Sequence, residues 1–212
     1  MEPGRILLRQ ATERDIPALV RLLRRSWLVT WAPELPFEAV QAFAANDPAR
    51  SHAESMWSSF LVAVIDDVLV GIIHVGEDCI EGLDVDPQMW GKGIGSRLMD
   101  DAERQIGQAH RSARLEVRAF NERARVFYER RGWIERRRYP GVECGSPVEN
   151  IEMRKESRIA SQALPLIWFV SRLTALLLSE VRRPWLPRMR PRLSPSSWRA
   201  RQILLGPDSL PV

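Results

Sequence analysis

Cysteine is scarce in these 212 residues: only Cys79 and Cys144 occur. Two thiols make neither a disulfide framework nor a metal-ligand cluster, and they fit a reducing cytosol. No run of about 18 uncharged apolar residues is present, which argues against a membrane span. Met1–Arg9 holds no long apolar run, so no secretory signal is expected. Acids are nearly missing from the C-terminal end. From Ser157 onward there are nine arginines, no lysine and two acidic residues, a net of +7. The preceding 22 basic and 25 acidic residues leave residues 1–156 at −3. The basic pI of about 9.7 therefore belongs to the tail. That tail also carries 7 of the 15 prolines and 3 of the 8 tryptophans. The expectation is a domain over residues 1–156 and an Arg/Pro/Trp-rich appendage over 157–212, partly disordered or forming one short amphipathic helix at Ala163–Leu178. Its arginines follow no nucleic-acid-binding motif, so no nucleic acid partner is expected.

What is present is a run of well-punctuated elements. Ile6–Arg9 reads as a strand. Thr12 and Asp15 read as a helix start, followed by apolar residues at Ile16, Leu19, Val20, Leu22, Leu23 and Trp27 in helical spacing. Pro17 is tolerated in a first turn. After the Trp31–Pro36 break, further helical patterns cover Phe37–Ala45 and Arg50–Ser58. Phe60–Ile65 and Val68–Val75 flank Asp66-Asp67 and predict a hairpin. A strand over Cys79–Val85, a helix over Gly91–Ile106, a strand over Ala113–Ala119 and a helix over Asn121–Arg131 follow, with Gly132 as the helix stop. Ile134–Tyr139 and Val148–Met153 read as closing strands. Hairpins mixed with two β-α crossovers predict an α/β fold of α+β character, a mixed twisted sheet with helices on both faces.

The most informative stretch is Leu83-Asp84-Val85-Asp86-Pro87-Gln88-Met89-Trp90-Gly91-Lys92-Gly93-Ile94-Gly95-Ser96. A strand ends at a proline, and a helix begins inside a glycine-rich turn. Unpaired N–H groups and the positive end of the helix make this an anion site, most often for phosphate. A dinucleotide fingerprint fits poorly, because Ser96 stands where its third glycine belongs, and the nucleotide P-loop pattern is absent. Gln88-x-x-Gly91-x-Gly93 with Gly95 resembles instead the acyl-CoA-binding motif of the GNAT family of N-acetyltransferases. Downstream, Asn121-x-x-Ala124-x-x-Phe127-Tyr128-x-x-x-Gly132-Trp133 resembles the family's second motif, with Trp133 where phenylalanine is usual. The resemblance covers roughly residues 5–155.

The resemblance implies the GNAT acyl-CoA N-acyltransferase fold and acetyl-CoA as donor, without a metal. Leu83, Asp84, Val85, Gln88, Trp90, Gly91, Lys92, Gly93, Ile94, Gly95, Ser96, Asn121 and Tyr128 are then the cofactor-binding set. Tyr128 stands where the family often has the general acid; a core aromatic is the plainer reading of it. Asn121 equally reads as a simple helix cap. Period-two alternation puts Glu81 on the face of Leu83 and Val85, near the thioester, and makes it the candidate base; His74 is the alternative but reads as a core residue. Trp27, Trp31 and Phe37 are candidates for the acceptor pocket, or for a helix–helix core. The implied activity is acetyl transfer to a primary amine of a small molecule or peptide, by direct attack in a ternary complex. The implied location is the cytoplasm, and homodimers are common in the family. A CoA-binding regulatory module without turnover is the alternative.

Overall fold

The structure, a computed structural model, describes residues 5–157. The expected appendage lies outside the described residues. One seven-stranded sheet is built from β1 (Leu7–Gln10), β2 (Phe60–Ile65), β3 (Val68–Val75), β4 (Cys79–Val85), β5 (Ser112–Arg118), β6 (Ile134–Glu143) and β7 (Ser146–Glu156), in the order β1-β2-β3-β4-β5-β7-β6. Only β4 and β5 run parallel; the other neighbours are antiparallel. The helices are α1 (Ile16–Thr30), α2 (Phe37–Asn46), α3 (Pro48–Met56), α4 (Ile94–Ala109) and α5 (Glu122–Arg130).

Each face of the sheet carries its own core. Ile73, Ile80, Leu115 and Met153 pack with Leu98 and Met99 of α4 and Tyr128 of α5. On the other face Phe60, Val62 and Ile72 pack with Leu19 and Leu22 of α1 and Ala53 of α3. Fully burying a side chain of this size contributes about 1.5–3 kcal/mol, so the two apolar layers fix which face each strand residue takes. A third, smaller cluster joins α1 to α2 through Trp27 and Phe43.

The turns explain where the elements stop. Asp66 and Asp67 both take positive φ, 49° and 62°, which is the two-residue hairpin geometry that follows strand twist. Cys144 and Gly145 repeat it at 47° and 84°. That tight turn lets β6 and β7 run longer than their apolar cores indicated. The expected helix at Gly91 begins only at Ile94, because Gly91 and Gly93 sit at φ 77° and 80° and cannot be helical there. At the other end of the crossover, Asn121 accepts a hydrogen bond from Ala124 N–H at 3.1 Å and caps α5.

Two irregularities shape the centre of the sheet. β4 and β5 are paired only at Cys79↔Arg114 and Ile80↔Leu115, and beyond that they part. Between β3 and β4 the register shifts: Val75 opposes Ile80, and His74 opposes Gly82. Glu81 is the extra residue, a β-bulge.

Among the described residues, no helix is long and apolar enough to cross a membrane.

Candidate functional site

The gap between β4 and β5 is the natural place for an extended ligand. Asp86 N–H donates to Val70 O on β3 at 2.9 Å. Alternation along the strand therefore turns the backbone of Leu83 and Val85 away from β3, into the gap. These groups can pair with a chain of amides as a further strand would. Val85 O is already engaged by the Trp90 indole N–H at 2.9 Å.

The gap leads to the glycine turn. The first helical bond of α4 runs from Arg97 N–H to Gly93 O at 3.0 Å, and the amides of residues 91–96 have no partner among the described residues. A Cβ placed on Gly91 or Gly93 would meet nothing within 4 Å, so the turn is an open cradle, and its left-handed backbone aims successive N–H groups outward. Gly95 packs against Phe127 and Val85, which brings the first turn of α4 against α5. Arg123 of α5 stands 3.7 Å from the Trp90 ring centroid, and Lys92 Nζ lies 3.3 Å from the Met89 sulfur. Two cations therefore border the cradle. Backbone donors, open space and positive charge fit a pyrophosphate, and the free edge of β4 fits an amide-bearing arm. Of the residues expected to hold acyl-CoA, Leu83 and Val85 line the gap and Gln88, Trp90 and residues 91–96 form the turn, whereas the side chain of Asp84 turns to the opposite face, because it opposes Ile72 on β3.

Tyr128 comes from α5 and is 7 % exposed. Burial pushes its phenol well above the ordinary value, and the charge of Asp84 pushes it further. The hydroxyl has no hydrogen-bond partner among the described residues. Its oxygen is not completely enclosed. It is a protonated donor with a free end.

Glu81 stands elsewhere than alternation indicated. Leu83 and Val85 pack with the α4 layer, as Ile80 does. The bulge sends Glu81 to the opposite face, where its carboxylate lies 3.4 Å from Nδ1 of His74. His74 is buried there, with its ring 5.5 Å from Phe60.

The same face holds a contact that sequence reasoning missed. Asp84 lies opposite Ile72, so it turns toward α1. There Ser26 Oγ donates to its carboxylate at 2.6 Å. Burial pushes the Asp84 carboxyl up, and the Ser26 hydrogen bond pulls partly against that. Ser26 is itself buried, on the apolar face of its helix. That polar residue among apolar positions was the available signal.

The aromatic candidates divide. Trp27 is buried, stacked on Phe43 with ring centroids 3.7 Å apart, and its N–H donates to Glu143 at 3.0 Å. Trp31 is half-buried, set edge-on to Phe120 and 5.2 Å from the Arg118 guanidinium. Phe37 is 70 % exposed at the first residue of α2 and joins neither group. Arg118 pairs with Glu116 and with Glu143, the latter at 3.0 Å, and contacts Asn150, which locks the end of β5 to the β6–β7 hairpin.

No group of three or more His, Cys, Asp or Glu able to hold a metal occurs among the described residues.

The sequence pattern of the acetyltransferase (GNAT) family matches residues 16–133. A search of curated proteins found no significant match. Among solved structures, an N-acetyltransferase from Rhodopseudomonas palustris is similar with a TM-score of 0.63 at 23 % identity, covering 74 % of this chain and 98 % of that one. The PaiA N-acetyltransferase from Thermoplasma acidophilum, in complex with coenzyme A, has a TM-score of 0.58 at 22 % identity, covering 72 % and 99 %. An N-acetyltransferase from Staphylococcus aureus has a TM-score of 0.56 at 15 % identity, covering 73 % and 100 %.

Proposed function

Because the chain belongs to the acetyltransferase (GNAT) family, we propose that it transfers the acetyl group of acetyl-CoA to a primary amine by direct attack in a ternary complex. The observation that carries this reading is the open glycine turn, with its unpartnered amides, continuous with the free edge of β4.

In this reading the amides of residues 91–96 hold the pyrophosphate, with Trp90 and Arg123 beside it and Gln88 at the approach. Asn121 positions the start of α5, and with it Tyr128. Bound acetyl-CoA supplies an activated thioester, placed where β4 and β5 part. Backbone N–H groups on the free edge of β4 stabilise the carbonyl oxygen as it gains charge. Tyr128 stays protonated at neutral pH and donates its hydrogen bond to the sulfur as the C–S bond breaks. The amine enters from the α1 face, where Asp84 and Trp31 lie.

Direct transfer is favoured over an acyl-enzyme. Burial pushes both Cys79 and Cys144 up to about 11, so neither thiol is a nucleophilic thiolate at neutral pH. The free hydroxyl end of Tyr128 supports turnover over a purely regulatory CoA-binding role.

Calorimetric titration with acetyl-CoA, with NADH as the control, tests this. Saturable binding of acetyl-CoA alone is expected. Binding of neither ligand, or of NADH in preference, would overturn the assignment.

A further inference from the structure

We infer that Asp84 is the carboxylate that receives a cationic primary amine and takes its first proton, with Ser26 as the residue that positions it. The inference rests on the acetyl-transfer reading and adds the group that takes the amine's proton. Asp84 lies on the unpaired part of β4, beyond the last β5 contact at Ile80. It turns away from the cofactor layer, toward α1. Ser26 engages one oxygen, Oδ1, at 2.6 Å, and the other has no partner among the described residues. The residue is only half-buried, so part of its surface opens to solvent although protein surrounds it. A carboxylate with one oxygen fixed and one free, on the part of β4 that β5 leaves unpaired, is built to take an ammonium group.

The charged neighbours are already engaged. On α1, Arg25 pairs with Asp86 at 2.9 Å. On β3, His74 lies against Glu81. On β5, Arg118 pairs with Glu116 and Glu143. From α5 comes Tyr128, and α4 presents Ile94 and Leu98 to this part of the sheet. Among the described residues no cation neutralises Asp84, which leaves that place to the substrate.

The step balances. The ammonium gives one proton to Asp84 and becomes a neutral amine. Its nitrogen bonds to the thioester carbon, and the C–S bond breaks with its electron pair on sulfur. The second nitrogen proton passes to that sulfur along the Tyr128 hydroxyl, which accepts and donates at once. Asp84 returns its proton to water when the amide leaves.

Release of CoA thiol, measured with acetyl-CoA and a panel of n-butylamine, phenethylamine, spermidine and lysine amide, provides the test. Wild type is expected to acetylate at least one of them. Asp84→Asn should then lower kcat/KM for the amine by about a hundredfold or more while calorimetric acetyl-CoA affinity stays within twofold. Ser26→Ala removes a hydrogen bond that favours the charged form. It should move the acid limb of the kcat/KM pH profile to higher pH, a shift that a purely structural role would not produce. Glu81→Gln should leave that limb in place. Three results overturn the inference and spare the cofactor reading: binding of acetyl-CoA with no amine of the panel acetylated, an Asp84→Asn enzyme within threefold of wild type, or a limb that moves with Glu81→Gln and not with Ser26→Ala. No acetyl-CoA binding overturns the reading beneath it.

Discussion

Trp90 and Arg123 lie against each other at the lip of the glycine turn, the guanidinium carbon 3.7 Å from the ring centroid. The same indole donates to Val85 O at 2.9 Å, so one side chain ties the turn both to the end of β4 and to the first turn of α5. Trp90→Ala removes a cation–π contact and a hydrogen bond, each of order 1 kcal/mol. The acetyl-CoA dissociation constant is expected to rise about tenfold or more. Trp90→Phe keeps a ring under Arg123 and loses only the N–H, at a cost of about 1 kcal/mol in stability. Calorimetry and thermal melts of the two variants separate these contributions. Unchanged affinity in the alanine variant would remove Trp90 from the cofactor site.

Tyr128 is held protonated by burial and has one free hydroxyl end. Tyr128→Phe keeps the ring, which packs edge-to-face on Phe127 at 5.4 Å. Stability and acetyl-CoA affinity should therefore change little, while kcat falls about a hundredfold. Steady-state kinetics beside calorimetry read the two effects separately. A variant with wild-type kcat would make Tyr128 a core aromatic only.

The link between α2 and α3 is one acid-sensitive point of the fold. Asp47 takes φ 45°, caps α3 at Arg50 N–H, and has its carboxyl held down to about 2, chiefly by the Arg24 guanidinium with Arg50 assisting. A carboxyl more acidic in the folded than in the unfolded chain stabilises the fold above its ordinary value near pH 4. That stability is lost as pH falls through about 2. Asp47→Asn keeps a side chain that tolerates left-handed backbone and can still cap. The fall in Tm between about pH 4 and 2 should be shallower in this variant. An equally steep fall would assign the acid lability to other pairs, the first being Asp15 with Arg9.

The glycine turn, the Asn121 cap and the hairpins were legible in the sequence because each is decided within a few residues. Gly91, Gly93, Asn121, Asp66 and Asp67 take the backbone roles their chemistry favours. The candidate acceptor side was less legible because it is made across the chain. The placement of Glu81 depends on how β4 registers against β3, and one extra residue there reverses its face. Asp84 meets a serine on α1, and Trp27 meets Glu143 on β6; no local pattern encodes either contact. Trp27 and Phe37 look alike as aromatics flanking a helix break. Burial separates them, because only Trp27 finds a stacking partner and an acceptor for its N–H.

The brief pairing of β4 with β5 has a consequence for how the protein lasts. Most sheets are vulnerable at their outer strands, but here a strand length of unused hydrogen bonds runs through the middle. A ligand that fills it acts as a removable eighth strand joining the two halves of the sheet. Its binding adds stability in proportion to the logarithm of its concentration. If acetyl-CoA is that ligand, as proposed above, survival against heat and proteases follows its supply.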